Sequence, residues 1–406
     1  MRFIVLLITF LVFGGLLEWY TYSALKSVWK NWQLWRRRTV KIVFYFLLGL
    51  SLLSLLMLFV FGDFYSRAAL NFWFSFLVLN LIIKLTFSFF LLLDDLRRLS
   101  IFTRKQFQEK DGKKISRSDF LLKTGLVTAS IPMAGLSWGM IAGPYRYKVF
   151  KEKVKIPHLP KAFEGVRIVH ISDIHSGSFY DFDAVKRGVE LIKAQQADIV
   201  FFTGDLVNDR AEEMEPYLEL FSQITAPLGV YSILGNHDYG DYVSWESEEA
   251  KEENNRKIRD LHKRMGWRLM CNEHLHIEKG GEKIGLIGVE NWGKGFHQKG
   301  DLAKAALGCE AAVKILLSHD PTHFDEVVKK EFKDINIMFS GHTHGAQIGI
   351  ETGGFKWSPI SLRYSKWAGL YEEDGQYLYV NRGFGFIGYA GRLGIMPEIT
   401  VMELNA

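Results

Sequence analysis

A chain of 406 residues, 48% of them apolar, is long enough for more than one domain. Its net charge of +5 hides a split: residues 1–150 carry 20 Lys and Arg against 7 Asp and Glu, and the remainder carries 30 against 38. The acidic remainder is excluded as a nucleic-acid binder, because affinity for a phosphate backbone rests on clustered Lys and Arg.

Apolar residues dominate positions 3–17, 42–61 and 70–93. The two longer runs match the roughly 20 residues a helix needs to cross a bilayer. A fourth segment, 121–142, is weaker and rich in Gly, Ala and Ser. Residues 1–145 therefore read as a transmembrane module of about four helices. Basic residues crowd two connections, Lys26 to Lys41 and Arg97 to Arg117, whereas positions 62–68 hold only Arg67. The positive-inside tendency puts both basic connections in the cytoplasm. The C-terminal part then lies outside, provided segment 121–142 crosses; otherwise it is cytoplasmic. The expected location is a bacterial plasma membrane with the soluble domain extracytoplasmic. Residues 116–123 resemble a twin-arginine signal that lacks the second Arg. Lys84, inside the third run, reads as a snorkelling or bundle-facing cation.

Residues 146–160 are basic and contain proline, and read as a linker to a domain over 161–406. Beyond it, apolar runs alternate with helical patterns, which indicates an α/β architecture. A strand over 166–171 leads to Asp173 and His175, and a strand over 198–202 leads to Asp205. A strand from Gly229 leads to Asn236, His237 and Asp238. A hairpin with Gly280 and Gly281 at its turn follows. Two more buried strands end in His319 and in His342 and His344. The two cysteines, Cys271 and Cys309, read as free buried thiols rather than a disulfide.

Singly, these residues have ordinary explanations. Asp173 suits a helix cap, Asp205 a turn, and His319 a core histidine. Together they are oxygen and imidazole donors at five strand ends, and open sheets gather ligands beyond the carboxyl ends of their strands. The donors outnumber what one tetrahedral ion takes and suit two divalent cations sharing a carboxylate. Asp238 reads as a cap. His158, His170, His262, His274, His276, His297 and His323 lack such placement and read as structural.

The blocks Asp173-Ile174-His175, Gly204-Asp205-Leu206-Val207-Asn208, Gly235-Asn236-His237-Asp238, Ser318-His319 and Gly341-His342-Thr343-His344 resemble the calcineurin-like metallophosphoesterase superfamily. Within it the chain is similar to the membrane-anchored bacterial phosphodiesterases of the YkuE/YaeI type. The resemblance implies a four-layer αββα sandwich and two divalent metals, with Mn, Fe or Zn the candidates. Asp173, His175 and His344 would hold the first metal, Asn236, His319 and His342 the second, and Asp205 would bridge. His237 would face the phosphate as the catalytic acid. The implied activity is hydrolysis of phosphate esters by a metal-bound hydroxide, with diesters or lipid-linked phosphates as the expected class. Trp245, Trp357 and residues 384–387 motivate the lipid expectation. If the domain is cytoplasmic, a UDP-diacylglucosamine-type pyrophosphate becomes a candidate substrate. The alternative is a membrane receptor or scaffold that keeps the fold. Ala346 stands where the family commonly has a second glycine, a difference of little cost unless the backbone there needs φ > 0.

Overall fold

The computed structural model describes residues 2–29, 32–61, 65–106 and 119–406. The basic stretch 107–118, including the start of the twin-arginine-like motif, lies outside the described residues. The chain forms two compact units: Met1–Tyr65 with Phe72–Trp138, and Ser66–Asn71 with Gly139–Ala406.

Four helices provide the first unit: α1 (Arg2–Val28), α2 (Leu34–Phe59), α3 (Arg67–Gln106) and α4 (Asp119–Ala142). Helix α2 leaves Ile42, Tyr45, Phe46 and Leu52 exposed, and a helix that is apolar all round belongs in hydrocarbon rather than water. Leu34–Phe59, Arg67–Arg97 and Thr124–Ala142 are each long and apolar enough to cross a membrane. The weak fourth segment therefore has the length and apolarity of a span, despite Pro132 within it. Lys84 does not snorkel. Its ammonium pairs with the Glu18 carboxylate and stands 5.9 Å from the Phe44 ring.

The second unit is built on two six-stranded sheets. Strands β1 (Lys148–Lys155), β2 (Arg167–Ile171), β3 (Ile199–Phe202), β4 (Val230–Ser232) and β5 (Arg268–Leu269) belong to the first. Strands β6 (Glu273–Lys279), β7 (Glu282–Gly288), β8 (Lys314–Leu317) and β9 (Ile337–Ser340) belong to the second. A small hairpin, β10 (Ile350–Thr352) and β11 (Phe355–Trp357), stands apart. Strands β12 (Gly369–Glu373) and β13 (Gln376–Val380) complete the second sheet, and β14 (Glu398–Asn405) returns to the first. The orders are β1-β14-β2-β3-β4-β5 and β12-β13-β9-β8-β7-β6.

The expected linker is not one. Residues 148–155 are strand β1, paired in parallel with β14 along its whole length. Its four lysines made it look like a connector, but charged side chains suit an edge strand, and Val154 on it is buried.

Alternation along the strands explains the layering. Ile168, Phe201, Ile315 and Phe339 point between the sheets into one core. Val169 and Val200 face the other way and meet Val185 and Val189 of α5 (Phe182–Lys193). Ile258 and Leu261, from the long helix Glu248–Arg264, join that cluster. Leu316 and Met338 face away from the first sheet, onto Leu302, Phe324 and Val328. Helices on two sheets packed face to face give the expected αββα sandwich. Cys271 and Cys309 are free thiols, as expected.

Candidate metal centre

Each candidate ligand sits just past a strand. Asp173 and His175 follow β2, Asp205 follows β3, and Asn236 and His237 follow β4. His319 follows β8, and His342 and His344 follow β9. Within each sheet these strands are parallel, so their carboxyl ends open on the same side. Asp173, His175 and His344 form one group of donors, and Asp205, His319 and His342 form another; within each group the donor atoms lie within 4.8 Å of one another. The Asn236 amide oxygen joins the second group, 2.8 Å from His342 Nδ1 and 3.1 Å from His319 Nε2. Asp205 Oδ2 lies 3.4 Å from His175 Nε2 and 3.2 Å from His319 Nε2, so one carboxylate touches both groups.

The backbone is bent to present them. Asp173, His175, Asp205, His342 and His344 all have φ between 47° and 70°. Such residues cost of order 1–3 kcal/mol each and persist where the surroundings over-determine them, as at functional sites. Close approach needs glycine at two points. A Cβ on Gly235 would stand 2.2 Å from Asp205 Oδ1, and one on Gly341 would stand 2.1 Å from Asp173 Oδ2.

Hydrogen bonds select the nitrogen each imidazole offers. His319 Nδ1 lies 2.7 Å from the Thr203 carbonyl, which only accepts, so Nδ1 carries the proton and Nε2 is left for a cation. His175 Nδ1 donates to Asn208 Oδ1 at 3.1 Å, with the same result. His342 turns the other way: Nε2 meets the Tyr364 hydroxyl at 3.0 Å, leaving Nδ1 towards Asn236. Among the described residues, His175 Nε2 and His344 Nε2 are buried with no hydrogen-bond partner. Buried polar atoms are normally paired. The orphaned His175 Nε2, converging with carboxylates and an amide oxygen, fits a divalent cation; at His344 the Arg392 guanidinium, which only donates, lies 3.2 Å from Nδ1 and leaves the ring proton on Nε2.

The buried charges of the cluster act strongly on one another. Burial acts to raise the Asp205 carboxyl, but the neighbouring imidazoles, His319 first, hold it well below its ordinary range. Burial and the charge of Asp205 push Asp173 up. His319 resists burial and rises to about 10, drawn by the Asp205 charge. His237 is lowered to about 4 by burial.

The family described as "Calcineurin-like phosphoesterase" matches residues 166–346, across every one of these ligands. This is a calcineurin-like metallophosphoesterase domain. The family described as "Probable Calcineurin-like phosphoesterase, transmembrane domain" matches residues 1–144. With the span-length apolar helices, it makes the chain a membrane protein. The Bacillus subtilis protein "Uncharacterized metallophosphoesterase YkuE" is 27% identical over 305 residues, covering 72% of this chain and 99% of its own length. "Uncharacterized metallophosphoesterase YkoQ" of the same organism is 25% identical over 250 residues, covering 59% of this chain and 83% of its own length. The Danio rerio "Transmembrane protein with metallophosphoesterase domain" is 28% identical over 284 residues, covering 66% of this chain but only 60% of its own length.

Several residues that shape this metallophosphoesterase site were not singled out as such from the sequence. Asp238 is not merely a cap. Its carboxylate accepts from the backbone N–H groups of Gly235, Asp205, Leu206 and Val207, at 2.8–3.3 Å. It therefore ties the Asp205 loop to the loop carrying Asn236. Asn208 holds His175 by its side chain and His237 Nδ1 by its carbonyl, at 2.8 Å. The Tyr242 hydroxyl accepts from Asn236 Nδ2 at 2.8 Å, and its ring lies over His237 with centroids 4.4 Å apart. Arg392, wholly buried, donates to the carbonyls of His344, Arg382, Gly383 and Gly385. The Asp238 and Asn208 positions lie within quoted motifs, but their partners come from other loops, which no spacing reveals.

The aromatic residues expected near the site divide. Phe384 and Phe386 are fully buried in the core, and Trp245 is held by a bond from its indole N–H to the Gly240 carbonyl. Only Trp357 is openly exposed. Ala346 has a φ of 49°, so the backbone there does need the conformation glycine favours. Of the histidines set aside, His170, His262 and His323 are core residues.

Proposed function

We propose that the chain is a membrane-anchored, metal-dependent phosphodiesterase. The observation that carries this reading is the meeting of both donor groups on Asp205, with the backbone N–H of His237 donating to that carboxylate at 2.9 Å. Asp173, His175 and His344 would hold one cation, Asn236, His319 and His342 the other, and Asp205 both. Two cations held there would supply Lewis acidity for hydrolysis and would offset the charge of the phosphoryl oxygens. The chain's own residues do the rest. The Asn208 carbonyl fixes His237 with Nδ1 protonated. Burial keeps the ring neutral at rest, and an anionic phosphate beside it favours the imidazolium, which then hands a proton to the leaving oxygen. Tyr242 flanks the His237 side, while Phe296, 4.8 Å from the His342 ring, and Tyr364 flank the other. Aromatic faces on both sides suit an ester that carries organic groups on both sides of phosphorus, as diesters and lipid-linked phosphates do.

The domain is extracytoplasmic in this reading. Positive-inside charge puts the two basic connections in the cytoplasm. Ser66–Asn71, Ser66 and the first five residues of α3 at the end away from the second basic connection, belong to the same compact unit as the metal centre, which supports the opposite side for that unit. A C-terminal green fluorescent protein fusion tests it, because bright fluorescence would mean a cytoplasmic domain and bring UDP-linked lipid pyrophosphates into reach.

Full-length protein loaded in turn with Mn, Fe, Zn and Ni, and assayed on bis-p-nitrophenyl phosphate, tests the activity. His237→Ala should keep its metal and lose about 10²–10⁴ in kcat. Undiminished turnover by that variant removes His237 from the mechanism. No hydrolysis by the wild type with any of the metals favours a receptor or scaffold.

A further inference from the structure

The two matched families meet nowhere on the chain: one ends at residue 144 and the other begins at 166. Yet Ser66–Asn71, inside the first, belongs to the compact unit that holds the metal centre. Arg67 and Asn71 are the first and fifth residues of α3.

Asn71 is buried, and its Nδ2 donates to Ser178 Oγ at 2.9 Å. Asn208 Nδ2 donates to the same hydroxyl at 3.0 Å. The Asn208 nitrogen faces Ser178 and its oxygen faces His175, and the same oxygen lies 3.4 Å from the Ser178 hydroxyl, so Ser178, itself held by Asn71, touches both ends of the amide. The oxygen holds the proton on His175 Nδ1 and leaves His175 Nε2, buried without a hydrogen-bond partner, for a cation. The next residue along is gripped as well. Arg67 Nη2 lies 2.9 Å from Asp209 Oδ2, a carboxylate only 4% exposed. Asp209 follows the carbonyl that holds His237 Nδ1. Without Arg67 the buried Asp209 carboxyl would lose its cationic partner, and with it the ion pair that pins this corner to the start of α3.

We propose that Asn71 and Arg67 are positioning residues of the metal centre: through Ser178, Asn208 and Asp209 they set the Asn208–Asp209 corner that orients the ligand His175 and the acid His237. The start of a helix assigned to the transmembrane family is thus part of the catalytic unit's working machinery. Partners that orient a metal-ligating histidine are typically worth 10–100-fold in metal affinity or activity.

This rests on the metal-centre reading, so its test is metal binding rather than turnover. Full-length protein in detergent is stripped with chelator and titrated with Mn²⁺, free ion being read by electron paramagnetic resonance. Asn71→Asp keeps the shape but removes the donor, and Arg67→Met removes the cation while keeping much of the stem. Each is expected to weaken binding at one of the two sites about 10-fold or more. Arg67→Lys should restore affinity to within about threefold, since it returns the charge. Binding within about twofold of wild type in both Asn71→Asp and Arg67→Met would overturn the proposal. So would equal loss at both sites with a fall in melting temperature, which would mean general unfolding. A wild type that takes up neither Mn nor Zn overturns this proposal and the metal-centre reading together. If the variants differ in affinity as expected while the wild type hydrolyses nothing, the phosphodiesterase reading fails and this one stands.

Discussion

Asp238→Asn is the sharpest test of how the site is braced. The native carboxylate takes two backbone N–H groups on each oxygen: Gly235 and Asp205 on Oδ2, Leu206 and Val207 on Oδ1. The group is buried, and burial with the neighbouring Asp205 charge pushes it up to about 7, while the N–H donors pull it back. An asparagine keeps one oxygen and turns its NH₂ towards two N–H groups that then have no acceptor. Each buried donor left unsatisfied costs about 1–3 kcal/mol, so the variant should lose about 2–6 kcal/mol. A domain of this size moves by about 2–4 °C per kcal/mol, so the melting temperature of the detergent-solubilised protein should fall by about 4 °C at the least. The loss should reach the metals too, because the freed loop carries Asp205; calorimetric titration should find affinity weaker by about 10–100-fold. A melting temperature within 1 °C of wild type, or unchanged metal affinity, would refute the bracing role.

Three further outcomes are expected. Ala346→Gly should stabilise by about 0.5–1 kcal/mol in denaturant unfolding, since relief of the left-handed strain, about 1–2 kcal/mol, exceeds the entropy glycine adds to the unfolded chain; destabilisation would mean that the alanine methyl packs usefully. Stripping both metals should lower the melting temperature, because the strained ligand backbone loses what binding returns, about 2.7 kcal/mol at a metal concentration 100 times Kd; equal melting of stripped and loaded protein counts against the site. Acid should destabilise through His170, His262 and His323, each lowered by burial to about 3. Their folded pKa lies below the unfolded value of about 6.5, so the unfolded chain binds more protons between those limits. Stability is therefore full above pH 6.5 and falls by about 1.4 kcal/mol per histidine per pH unit down to about pH 3. His262, with neither ring nitrogen bonded and its ring 5.9 Å from Phe202, is the cleanest case. His262→Phe should flatten the curve of melting temperature against pH between 6 and 4, and a curve parallel to wild type would count against the argument.

The candidate donors were legible because they follow a regular pattern: a buried strand and, a few residues on, a metal-type side chain. That pattern is local and repeats at five strand ends, from Asp173 to His344. The spans were legible for a similar reason, as an apolar helix needs only its own residues to declare itself. Strand β1 was not, because an edge strand with lysines along it has the composition of a linker, and only the pairing with β14, some 250 residues further on, makes it a strand.

By itself the sequence determined which residues could bind metal and that they would sit at strand ends, since side-chain chemistry and strand periodicity are properties of short stretches. The tertiary structure decided how those residues are held. Which imidazole nitrogen is left for a cation depends on Thr203, Asn208 and Tyr364; which loops are tied together depends on Asp238; and what steadies Asn208 reaches back to Asn71. Each is a hydrogen bond between distant stretches. Such bonds exist only once folding has excluded water and left no other partner for the buried group, so no local pattern can announce them.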